Sequence, residues 1–159
     1  MKKLLIAVFA LTMVAMTSNA HAQKGAIRLG GGLLKFPGIS FVGGGAGVDI
    51  GLGEKTFALS INGEYFTKSP SKTIPLTGIA MFRKTMPNGK LGVFFGAGGG
   101  FEVDSKKPLA SGMGGAVFNV APKIGIYAKA QYYRVFVSGG GLNLYSFTGG
   151  IQINLMPAE

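Results

Sequence analysis

Six charged side chains interrupt otherwise apolar or glycine-rich stretches: Arg28, Asp49, Glu64, Arg83, Glu102 and Lys129. Three are cationic and three anionic. Two carboxylates such as Glu64 and Glu102 could divide general-acid and general-base work. Ser60 or Ser111 beside a carboxylate could be drawn as a nucleophile, but no motif frames either serine. A residue that moves protons near neutral pH is most often histidine. The only histidine, His21, lies in a segment expected to be removed, and cysteine is absent. Ion pairing therefore explains these charges better than catalysis, and no enzyme activity is expected. Scattered carboxylates without His or Cys make no ligand cluster, so neither a metal nor a cofactor is expected. "GGGLL", "VGGGAG" and "GAGGGF" have the glycine content of a phosphate loop, but no helix follows to present its N-terminus to an anion.

The elements that carry these residues begin after an export signal. Lys2 and Lys3 precede the apolar run "LLIAVFALTMVAM" (4–16), and "TSNAHA" ends in the A-x-A pattern Ala20-His21-Ala22. Such a segment is a signal peptide helix, removed on export; its apolar core is shorter than the roughly 20 residues a spanning helix needs. Two segments are thus expected: a signal peptide over 1–22 and a single domain over 23–159. Removal of Lys2 and Lys3 leaves 14 basic residues against 6 acidic ones, a net of +8. All 28 glycines lie beyond residue 22, against about eleven at an average usage of roughly 7%. Glycine at this level is common in disordered chains, but those lack apolar residues, and here 47% are hydrophobic.

Eight stretches alternate, or nearly alternate, in apolar character: 26–34, 41–52, 57–66, 73–83, 91–103, 110–120, 124–136 and 144–155. A period of two is that of a strand with two different faces. Most stretches are close to the 9–11 residues with which a tilted strand crosses a membrane. Turn-forming residues fill the connectors, as in "KFPGIS", "TKSPSK", "KTMPNGK" and "VSGGGLN". Short strands with brief turns predict an up-and-down antiparallel meander. Closing it pairs the last strand with the first and removes an apolar edge that would invite aggregation.

The faces then separate. Phe57, Leu59, Ile61, Gly63 and Tyr65 share one side, with Ala58, Ser60, Asn62 and Glu64 on the other. Placing the apolar sets outward brings Arg28, Asp49, Glu64, Arg83, Glu102 and Lys129 inward, where they are expected to form a polar network. For Arg83 and Glu102, near strand ends, solvent is an equal alternative. With the N-terminus on the periplasmic side, Phe57, Phe82 and Phe118 fall toward that rim, and Tyr65, Phe101, Tyr132 and Tyr145 toward the other. Two aromatic girdles around an apolar band are a membrane-barrel pattern. In the sixth stretch the outward set, from Ala110 to Val120, is mostly small; either a bulge shifts the register or the wall is smooth. Eight strands leave an interior just wide enough for side chains, so any channel is tiny or closed.

The signal, the eight amphipathic strands and the terminal strand together resemble the small outer-membrane β-barrel proteins, broadly the OmpA-type transmembrane domain and its relatives. The resemblance implies an all-β, closed, up-and-down antiparallel eight-stranded transmembrane β-barrel in the outer membrane of a Gram-negative bacterium. "TGGIQINL" (148–155) resembles the C-terminal insertion signal of that class, with Thr148, Gly150, Ile153 and Leu155 in its places. Leu155 replaces the usual aromatic, and "MPAE" follows. Barrel-assembly machinery reads that strand in the family and is the implied biogenesis partner.

Lys35, Lys68, Lys72, Lys106, Lys107 and Arg134 cluster at the expected outer rim, at the height of lipopolysaccharide phosphates; solvated loop cations are the plain alternative for each. A basic protein can meet nucleic acid, but an exported barrel is not expected to. Three functions stay open: a structural or adhesive barrel embedded in outer-membrane lipid and lipopolysaccharide, a narrow porin-like conduit or small-ligand transport barrel, and a soluble lipocalin-like binder with its faces inverted. The sequence sets no oligomeric state.

Overall fold

A computed structural model describes residues 25–52 and 56–155. The signal peptide read at 1–22 lies outside the described residues. The alternating stretches form strands β1 (Ala26–Phe36), β2 (Ile39–Gly51), β3 (Phe57–Lys68), β4 (Ser71–Thr73), β5 (Pro75–Thr85), β6 (Leu91–Glu102), β7 (Lys107–Ala121), β8 (Ile124–Val137) and β9 (Gly140–Asn154). Their hydrogen-bonded order is β2-β1-β9-β8-β7-β6-β5-β3-β4, and β2 also pairs with β3. The ladder is a closed antiparallel ring. β4 and β5 share one place in it, both pairing with β3, from Lys68–Ser71 at one end to Phe57–Phe82 at the other. The interruption falls at Ile74, just before Pro75, which has no amide hydrogen to donate to a ladder. Eight strand positions result.

Several strands run further than the apolar alternation. β1 reaches Phe36, β7 starts at Lys107 and β9 starts at Gly140. An antiparallel ladder needs no apolar flank to satisfy its backbone groups, whereas alternation marks only the part that separates two environments. The turns at the rim away from the chain ends are therefore short: 37–38, 69–70, 103–106 and 138–139. We call this the far rim. The terminal rim carries the start of β1, the end of β9, the end of β2, the start of β3 and the connections at 86–90 and 122–123.

The apolar faces point outward. Leu29, Ile126 and Ile151 are each more than half exposed, while Arg28, next to Leu29 in β1, is 2% exposed. An apolar ligand chamber needs the opposite arrangement, so the lipocalin-like alternative is overturned. On the terminal side of the exterior, Phe57 and Phe82 meet edge-on at 5.7 Å and Phe82 and Phe95 at 5.1 Å between ring centroids. On the far side Tyr132 and Tyr145 lie 5.3 Å apart. β7 keeps its register through most of its length. Its outward Ala110, Gly112, Gly114 and Ala116 make a smooth wall, and the one irregularity lies between Asn119 and Ala121.

Inside, two apolar clusters bracket a polar layer. Ile79, Met81, Phe94, Met113, Val117 and Tyr127, with Ala58, fill the terminal half. Leu34, Phe66, Leu109, Tyr133, Val135 and Leu144 fill the far half. A cavity of about 400 Å3 sits at the terminal rim, lined in part by Asp49, Arg83, Phe94, Asn119, Gln152 and Asn154.

Closure rests on the pairing of β1 with β9, in which Leu33 lies opposite Phe147. Directly opposed residues of an antiparallel pair have Cα atoms about 4.5–5.5 Å apart, within disulfide range. In this cysteine-free chain, Leu33→Cys combined with Phe147→Cys is expected to oxidise to one intramolecular bond. Non-reducing mass spectrometry checks this; thiols that stay free in the folded protein would mean an open sheet.

Candidate functional site

The charged pairs of the polar layer come from β1, β2 and β3 and, across the lumen, from β8, with hydroxyls from β5, β7 and β9 joining them. Asp49 on β2 lies opposite Ser60 on β3, and Gly47 stands between Arg28 on β1 and Asn62 on β3. A Cβ at Gly47 would come within 2.6 Å of the Asn62 Oδ1. Glycine there leaves room for the Arg28 side chain to pass over β2. Its Nη2 donates to Asp49 Oδ1 at 2.6 Å and to Ser60 Oγ at 2.7 Å. Ser60 Oγ donates to the same Asp49 oxygen at 2.7 Å and accepts from Asn62 Nδ2 at 3.0 Å. The guanidinium carbon sits 4.9 Å from the centroid of the Phe94 ring, a cation–π contact that favours the charged group in an apolar setting.

The second group spans the barrel. Lys129 on β8 donates from Nζ to Glu64 Oε1 and to Gln131 Oε1, each at 2.7 Å. Gln131 Nε2 continues to Ser111 Oγ at 2.9 Å and Thr77 Oγ1 at 3.3 Å. The other Glu64 oxygen accepts from the Tyr133 hydroxyl and, at 3.4 Å, from Ser146 Oγ. Arg28, Asp49, Glu64 and Lys129 are all buried. A charge in such a place is tolerated when it is paired and its remaining polar atoms are bonded. Both carboxylates are held by their cations and hydroxyl donors, so this constellation ties strands together rather than offering a free base.

Two of the six inward charges stand elsewhere. Glu102 is buried at the far rim, away from the luminal pairs. It accepts from the amides of Ile74 at 3.0 Å, Asp104 at 3.3 Å and Ser105 at 2.5 Å. The β6–β7 turn folds its amides back onto this carboxylate, which fixes the turn. Arg83 is half-buried and lines the cavity at the terminal rim. Conversely, Ser60 and Ser111, drawn above as nucleophiles, serve as relays in the two hydrogen-bond groups. Asn62, Thr77, Gln131, Tyr133 and Ser146 join them. The same alternation that turned the charges inward marked these neutral residues too.

The basic residues sit at the far rim. Lys35, Lys68, Lys72, Lys106 and Arg134 are exposed and Lys107 is half-buried. Lys72 lies 3.6 Å from Asp104 across this rim. Lys35 and Arg134 belong to the outward-facing rows of β1 and β8, close to the Tyr132–Tyr145 pair. In β9, Thr148 and Gly150 face the lumen, whereas Ile153 is exposed on the exterior and Leu155 is exposed just past the strand end.

No protein-family profile matches the sequence, and neither does any curated protein. Solved structures do match. The N-terminal β-barrel domain of Pseudomonas aeruginosa OprF is similar with a TM-score of 0.60 at 12% identity, over 84% of this chain and 98% of that one. Neisserial surface protein A, NspA, gives 0.59 at 12% identity, over 83% and 96%. A de novo designed transmembrane β-barrel gives 0.58 at 16% identity, over 86% and 98%. The fold is that of the small eight-stranded outer-membrane barrels. At these identities the likeness is one of architecture alone.

Removing one partner of a buried pair leaves an uncompensated charge, which typically costs about 3–5 kcal/mol. Lys129→Met and Glu64→Gln are each expected to lower unfolding stability in urea by this order. The combined variant is expected to lose less than the sum of the two, since neither charge is then stranded.

Proposed function

We propose that this chain is an integral outer-membrane β-barrel with a structural or adhesive role at the cell surface. One observation carries the reading: an exterior band of exposed apolar side chains, bounded by aromatic clusters, over a core of paired charges. Water favours the reverse arrangement, and hydrocarbon favours this one, since an Arg or Lys facing lipid costs about 2–4 kcal/mol at the midplane. In this reading the segment 1–22 directs export and is cleaved after Ala22. The strand carrying Thr148, Gly150, Ile153 and Leu155 is then presented to the barrel-assembly machinery. The far rim faces outward, and Lys35, Lys68, Lys72, Lys106, Lys107 and Arg134 meet lipopolysaccharide phosphates.

The filled lumen argues against a conduit. Arg28, Phe94 and Tyr127 on the terminal side, and Phe66, Tyr133 and Leu144 beyond them, occupy the cross-section that an ion would need. The role proposed is accordingly non-catalytic and non-conducting. The name of NspA describes a surface protein, and a surface role for this chain agrees with its basic rim.

The test begins with the mature chain in washed outer membranes. Unboiled protein is expected to migrate differently from boiled protein in detergent gels, and the purified barrel to give no steady conductance in planar bilayers. Replacing the six rim cations with glutamine is expected to weaken binding to immobilised lipopolysaccharide at least tenfold and to flatten its salt dependence. Recovery from the soluble periplasm would overturn the membrane reading. Unchanged lipopolysaccharide affinity in a folded variant would overturn the rim assignment alone.

A further inference from the structure

Between the two hydrogen-bond groups lies a small enclosed void of about 10 Å3. Arg28, Asn62, Glu64, Tyr127, Lys129 and Thr148 line it, with the β2 backbone around Gly47 as its floor. Among the described residues, three buried polar side-chain atoms have no protein partner: Nε and Nη1 of Arg28 and Oγ1 of Thr148. Both residues border this one void, Arg28 at 2% and Thr148 at 6% exposure. The hydrogen bonds of Arg28 all leave from Nη2, so its other N–H groups are unspent. A buried polar group without a partner costs about 1–3 kcal/mol, more when charged. Two such residues on a shared void point to an occupant.

We propose that this void is a binding site for a single internal water molecule, which accepts from a free Arg28 N–H and bonds to the Thr148 hydroxyl. Size selects water: one molecule requires roughly 10–15 Å3 by the same measure, which leaves no room for a polyatomic ion. Charge selects against a halide. Arg28 and Lys129 are already matched by Asp49 and Glu64, and the Glu64 carboxylate itself borders the void. A neutral occupant that can both donate and accept serves a guanidinium on one side and a hydroxyl on the other. The aromatic faces of Phe94 and Tyr127, 4.9 Å and 5.8 Å from the guanidinium carbon, lie against the rest of the group. The water joins the β1–β3 group to the β8–β9 side, making one continuous polar layer across the lumen. Thr148, read from sequence as part of an insertion signal, acquires a second role inside the folded barrel. This inference needs only the barrel and is independent of where the barrel resides.

The experiment uses the folded, detergent-solubilised mature chain. Water-to-amide nuclear Overhauser transfer is expected to reveal one long-lived water near the amides of Gly47 and Thr148. Thr148→Val keeps the side-chain shape and removes the hydroxyl; those cross-peaks are expected to vanish while the unboiled gel mobility persists. Thr148→Ser restores the hydroxyl and is expected to restore them. Cross-peaks that are absent in the wild type, or unchanged in a folded Thr148→Val, overturn the proposal. Crystals of the wild type soaked in bromide give a second reading that does not depend on any variant folding. A water-sized peak without anomalous signal supports the water, whereas a bromide signal at Arg28, or no density there, overturns it.

Discussion

Closure of the backbone ladder is the constraint on which everything else depends. From Ala26 to Lys35, β1 pairs with both β2 and β9, so the first and last strands do not meet solvent as a free row of amides and carbonyls along that stretch. Apolar side chains can then cover the outside without creating an adhesive edge. The ring also fixes the interior: with eight strand positions, what remains inside is just wide enough for side chains. A sheet left open between β1 and β9 would lose both properties at once.

The narrow interior explains the pairing of charges with glycines. Arg28 and Lys129 have long side chains that need passage, and their neighbours across the ladder are Gly47 and Gly115. A second close approach shows at Gly30, where a Cβ would run into the hydroxyl of Tyr127. Glycine weakens an ordinary strand through its entropy and missing side chain. In this lumen it creates the space in which large polar groups meet their partners. The two apolar clusters above and below keep bulk water from competing for those partners, which strengthens the ion pairs and penalises any polar atom left unbonded.

The outer surface answers to a different solvent. Large apolar residues occupy it as a band with aromatic pairs toward either end, and the wall of β7 is smooth because Ala and Gly stand at its outward positions. The far rim gathers cations on short hairpins, where water or charged head groups can reach them. Short turns leave little loop surface, so recognition at this rim depends on side chains anchored at strand ends, including Lys35 and Arg134, rather than on long mobile loops.

The sequence by itself determined which side of each strand faces which environment. Alternation is a local property of period two, and it placed Arg28, Asp49, Glu64 and Lys129 inward and Ile126 and Ile151 outward without reference to any neighbour. It also counted the strands, because turn residues separate them. Only the tertiary structure decided who meets whom. Lys129 and Glu64 are 65 residues apart, and their contact depends on the register of several ladders and on reach across the lumen, neither of which leaves a periodic trace. Glu102 shows the limit clearly: its inward parity is that of Glu64, yet two amides of the 103–106 turn and that of Ile74 bond it at the far rim and take it out of the luminal pairs. Parity fixes direction, while register and turn geometry fix partners.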